Sequence, residues 1–210
     1  MHPYLTKLGV PPEVQAFFQP YFTSDNAGNL MFPYRDGIEY FGFAFHRVPV
    51  SEHCWIAGNT NFSMIRKVFV CGTALDAIAY LSLNRTAFTQ TENLLFLATG
   101  AMPNICQMRW INQCLGGKIY SLIFGGDILG RLCDLKTAAG ICRIPVAVGI
   151  ADEQVTINFR QQQYSFSQEQ FSLNAFEKAS GFRFNIRTFK PKNFDSYLDQ
   201  LKEKAFNHSL

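Results

Sequence analysis

The chain predicts a mixed α/β fold built on a parallel sheet, and three observations carry that expectation. The run Lys67-Val68-Phe69-Val70-Cys71 is apolar, β-branched and aromatic, as a strand buried on both faces reads. Gly72 then breaks the run, and Leu75, Ile78, Ala79 and Leu81 give an apolar helix, with Thr73 as its cap and Asp76 in its first turn. The strand–turn–helix order recurs at Leu94–Ala98 and Ile119–Phe124. Such alternation favours parallel strands with right-handed crossovers and helices on both faces, their turns lying at the carboxyl edge where α/β proteins place their chemistry.

At 210 residues, 48% of them hydrophobic and 21 of them Phe, the chain supports one well-filled core. A net charge of +3 does not by itself announce a nucleic-acid binder, although it leaves room for a local basic face. The six cysteines are scattered through apolar runs without a Cys-x-x-Cys pair. His53-Cys54 has no second ligand pair at zinc spacing, so buried reduced thiols are expected. There is no amino-terminal signal pattern and no uninterrupted apolar run of ~18 residues. A soluble, cytoplasmic protein without membrane contact is the expectation.

Taken in order, residues 1–24 predict a short helical lead-in, with a helix from Glu13 to Phe18 curtailed by Pro20. Leu30 to Tyr34 predicts a strand, Arg35-Asp36-Gly37 a hairpin turn, and Ile38 to His46 the return strand, with Phe41, Phe43 and Phe45 on one face. Trp55 to Thr60 is expected to loop towards the central domain. Helices follow at 74–84, from Pro103 to Gly116-Gly117, and at 127–139 with Gly140 as the stop. Ile144–Ile150 and Gln154–Phe159 predict an inserted antiparallel hairpin. A capping box at Ser167 to Gln170 opens a helix reaching Ser180, a strand covers Phe182–Phe189, and a last helix covers roughly 194–205. The expected organisation is an N-terminal α+β region over 1–62 packed on an α/β domain over 63–210.

Three segments together resemble the Toprim (topoisomerase–primase) superfamily, in the branch found with primase-like and mobilisation proteins of bacterial mobile elements. Val68 to Ala77 is similar to its first motif, a strand delivering a glutamate and then an aspartate four residues on. Leu122 to Arg131 resembles the second, a strand ending in Asp-x-Asp, and Lys192 to Leu198 is similar to a closing Lys-Asp-aromatic-Asn segment. Met31 to Gly37 and Gly42 to Arg47 look like the hairpin that precedes this branch's core. The resemblance implies a toprim-like parallel sheet and a carboxylate site that holds Mg²⁺.

The glutamate position falls on Gly72 and the first aspartate position on Gly125, leaving Asp76 and Asp127. A lost general acid–base group is worth ~10²–10⁴ in rate, so the ancestral site reads as degenerate, with Asp127 a weak metal candidate. Structural roles as cap and first-turn acid are the stronger expectation for Asp76 and Asp127, with an Asp127–Arg131 pair. Cys71 has no neighbouring His and reads as inert. The Gly125-Gly126 turn is a candidate anion cradle, though a plain tight turn is the stronger expectation. Arg183, Arg187, Lys190 and Lys192 form a candidate nucleic-acid contact in a stretch without acids. The expected function is therefore a catalytically degenerate accessory of DNA replication or mobilisation that binds DNA, RNA or a protein partner, with no cofactor. The alternative is a divergent metal-dependent enzyme of phosphodiester chemistry, using Mg²⁺ and acids recruited from elsewhere such as Glu92 or Asp134.

Overall fold

The computed structural model describes residues 1–88 and 90–207. Helices α1 (Pro3–Lys7) and α2 (Pro12–Phe18) lead in. Strands β1 (Thr23–Ser24), β2 (Leu30–Tyr34), β3 (Gly37–Phe41) and β4 (His46–Arg47) form an antiparallel meander. The central layer then alternates β5 (Trp55–Gly58), β6 (Lys67–Cys71), α3 (Ala74–Asn84), β7 (Leu94–Ala98), α4 (Ile105–Cys114), β8 (Ile119–Leu122) and α5 (Ile128–Ile141). A second meander of β9 (Ala147–Ala151), β10 (Gln154–Phe159) and β11 (Gln162–Ser167) precedes α6 (Leu173–Ser180), β12 (Arg187–Thr188) and α7 (Tyr197–Asn207).

The central sheet has the order β12-β8-β6-β7-β5, with β12, β8, β6 and β7 parallel and β5 antiparallel at the edge. Alternation along each strand divides the core. Phe69, Cys71 and Phe96 face a cluster completed by α1, α2, α3, α7 and the N-terminal meander. Val68, Val70, Leu95 and Leu97 face the other cluster, filled by α4, α5, α6 and β10. Helices thus cover both faces of a mixed sheet, and among the described residues none is long and apolar enough to cross a membrane.

Several local expectations are corrected. Trp55–Gly58 is a strand rather than a loop, pinned where Trp55 Nε1–H donates to Tyr21 O and Tyr21 O–H donates to Gly58 O. The return strand stops at Phe41 because Gly42 N–H bonds Phe45 O and turns the chain into β4. Phe41 is buried, but Phe43 is 89% exposed, so the three phenylalanines do not share a core face. The inserted hairpin gains a third strand, β11, and α6 begins five residues later than expected, capped by Ser172 rather than Ser167. The strand expected over Phe182–Phe189 is ladder-paired only at β12, because Asn185 takes a positive φ of 57°. Gly140 lies inside α5, where a Cβ would meet Met108 Cγ at 2.3 Å; it permits close approach of α4 and α5 rather than ending the helix.

The N-terminal region is continuous with this core. Phe18 stacks on Trp55 and meets Phe96 edge-on at 5.3 Å, and all three side chains are essentially inaccessible. Removing a buried ring of this kind costs ~3–5 kcal/mol. Phe18→Ala is therefore expected to lower stability by about that amount, read from urea unfolding followed by tryptophan fluorescence, with a single transition retained.

Candidate functional site

The carboxyl edge of the sheet gathers the β6–α3 and β8–α5 turns with the segment 190–199. At the first turn, Thr73 caps α3: its Oγ1 accepts from Asp76 N–H at 3.0 Å and its O–H donates to Asp76 Oδ2 at 2.8 Å. Asp76 Oδ1 also accepts from Leu198 N–H at 3.2 Å, joining the start of α3 to the start of α7. Burial pushes the Asp76 carboxyl pKa upward against these hydrogen bonds. Cys71 is buried, its thiol donating to Thr73 O, and burial raises its pKa well above the ordinary thiol value.

A carboxylate that sequence reasoning left unassigned enters this turn from the N-terminal meander. Glu39 on β3 is fully buried and accepts from Ala74 N–H, in the first turn of α3, at 2.8 Å. It also accepts from Tyr34 O–H at 3.2 Å and meets His46 Nε2 at 3.0 Å. The N-terminal dipole and three partners offset the desolvation of a buried carboxylate. Burial, then the Glu39 charge, push the Tyr34 hydroxyl pKa well up. A signal was present: Glu39 shares strand parity with buried Phe41, whereas Ile38 faces outward.

The second turn is closed by the chain itself. Gly126 N–H donates to Asp195 O at 2.8 Å, and a Cβ on Gly125 would lie 2.4 Å from the same carbonyl. Asp127 caps α5 by accepting from Gly130 N–H at 2.8 Å. Arg131 turns away from Asp127 and donates to the carbonyls of Gly126, Gln168, Glu169 and Phe171. Lys190 projects inward: its ammonium donates to Phe124 O and Gly125 O and pairs with Asp134 Oδ2 at 2.6 Å. Beside this turn lies a polar cleft of about 590 Å³ lined by Gly126, Arg131, Lys190, Asn193, Asp195 and Asp199.

The remaining expected groups disperse. Arg183 pairs with Glu177 at 3.0 Å, while Arg187 on β12 and Lys192 are exposed. Glu92 lies just before β7, at the amino edge, away from Asp127. Asp134 is buried against Lys190, with its Oδ1 and Thr137 Oγ1 lacking partners among the described residues. Magnesium prefers several oxygen donors with one or two free carboxylates. Asp76 and Asp127 direct oxygens at backbone N–H groups instead, and the described residues contain no cluster of three or more His, Cys, Asp or Glu suited to a metal. The donor set fits Mg²⁺ poorly. Comparison with protein-family models, curated proteins and solved structures gave no match to this chain.

Two expectations follow from these turns. Neither Gly72 nor Gly125 has a positive φ, but a Cβ on Gly72 finds its nearest neighbours at 3.9 Å whereas one on Gly125 meets a backbone carbonyl. Gly72→Ala should leave the thermal midpoint nearly unchanged, and Gly125→Ala should lower it measurably in the same calorimetric scan. Burial pushes Asp134 from an ordinary 3.8 up to about 7 despite Lys190 beside it. A raised carboxyl pKa means the folded state holds the proton more tightly, so this contribution is full below pH 4 and is lost as pH rises towards 7. Unfolding free energy measured across that range should fall less steeply in Asp134→Asn than in the parent.

Proposed function

We propose that this chain is a catalytically degenerate toprim-like protein that binds nucleic acid through its β12 edge as an accessory of replication or mobilisation. The observation that carries the reading is the chemistry of the β8–α5 turn. Where the resemblance implies an acid that would hold a metal, Gly125 is packed against Asp195 O, and a lysine ammonium is seated on the carbonyls of Phe124 and Gly125. A fixed protein cation there serves folding and leaves little for metal-assisted proton transfer. Binding is assigned to the exposed Arg187 and Lys192, whereas Arg183 is 60% exposed but paired with Glu177. Contacts of this type act on phosphates and are sequence-independent.

Glu39 favours a second reading, a divergent metal-dependent phosphodiester enzyme. It brings a carboxylate to the start of α3, two residues beyond Gly72, backed by His46. Its three protein partners weigh against release to a metal or substrate. Calorimetric titration with Mg²⁺ and Mn²⁺ separates the two readings: no tight specific site is expected, and a low-micromolar one would favour the enzyme.

Binding of labelled single- and double-stranded DNA and RNA is expected to weaken steeply with salt. It should fall several-fold in Arg187→Ala combined with Lys192→Ala, both at exposed positions. A parent that binds none of these nucleic acids sinks the nucleic-acid reading. A parent that binds while the double variant binds equally well removes the β12 edge as the site.

A further inference from the structure

The second meander ends in an unguarded edge. Strand β9, Ala147-Val148-Gly149-Ile150-Ala151, pairs with β10 on one side only, and among the described residues no other backbone group bonds its outer edge. It contains no charge and no proline; four of its five residues are exposed, and Ile150 is 47% accessible. Soluble proteins normally protect edges by shortness, charge, proline or bulges, because unpaired N–H and C=O groups template further pairing. The other edges of this chain are short or, in the uncharged six-residue β11, lined largely with polar side chains. Strands β1, β4 and β12 have two residues each, β5 has four, and β11 carries Gln162, Gln163, Ser165 and Ser167.

We propose that β9 is a self-association surface, on which a second copy of this chain adds its own β9 in antiparallel register. Pairing about a two-fold axis at Gly149 sets Ala147 opposite Ala151 and Val148 opposite Ile150, so the same small apolar set meets itself. Gly149 has nothing within 4 Å of its added Cβ position, which leaves room on the axis. The ends select a copy of the same chain over an unrelated strand. Asp152 and Glu153 form the turn after β9, and exposed Arg143 lies four residues before its first residue, Ala147. Antiparallel pairing brings the acidic turn of each copy towards Arg143 of the other, twice by symmetry. The product is a continuous sheet of β11-β10-β9 with its two-fold mate, closing both open edges.

Sedimentation of the whole chain over a wide concentration range should show a monomer–dimer equilibrium, with slow amide hydrogen exchange over 147–151 in the dimer. Ile150→Lys, at an exposed position, should weaken dimerisation by about tenfold or more and restore fast exchange there. Glu153→Lys and Arg143→Glu should each weaken it, and the two together should recover it, which tests the register independently of Ile150. A chain that stays monomeric throughout overturns the proposal. So does a dimer whose strength and exchange over 147–151 are untouched by these variants.

Discussion

A buried carboxylate must find partners, and the one on Glu39 shapes how this chain is assembled. It leaves β3 pointing inward, where a charge is costly, and is matched by the first turn of α3, Tyr34 and His46. That requirement fixes the N-terminal meander against the carboxyl edge of the central sheet. The aromatic packing of Phe18, Trp55 and Phe96 can then form on the same face. Residues before and after position 62 therefore share one hydrophobic cluster.

The second corner is held by the opposite charge. Lys190 draws the carbonyls of Phe124 and Gly125 and the buried Asp134 together, while Gly126 N–H donates to Asp195 O and docks the segment around it. Both turns of the carboxyl edge are thus occupied by interactions that stabilise the fold. Their polar groups are committed to helix caps and to docking α7, as Asp127 does with Gly130 and Asp76 with Leu198. A site organised in this way is suited to rigidity.

The second meander plays a different part. Its middle strand buries Val155, Ile157 and Phe159 against α5 and α6, so it belongs to the core on one side. Its outer strand, by contrast, contributes little to that core. A strand can be retained in that position without charged guards if a second polypeptide covers it.

The elements with strong periodicity were legible in the sequence: β6, α3, β7, β8, α5 and β10 follow from apolar runs, caps and breaks that act within a few residues. The Thr73 and Asp127 caps were equally local. Other features needed distant partners. Trp55–Gly58 is a strand because β7 offers it an edge, and Phe41 ends β3 because Gly42 closes onto Phe45. Lys190 looked like an exposed phosphate contact because it stands in an acid-free stretch, whereas its ion pair is with Asp134, far away in sequence. Local chemistry in the chain determined most of the strands and helices of the central layer, β5 excepted. Tertiary packing decided which partners the charges of Glu39, Lys190 and Asp134 meet, because a buried charge is governed by groups that sequence neighbours do not supply.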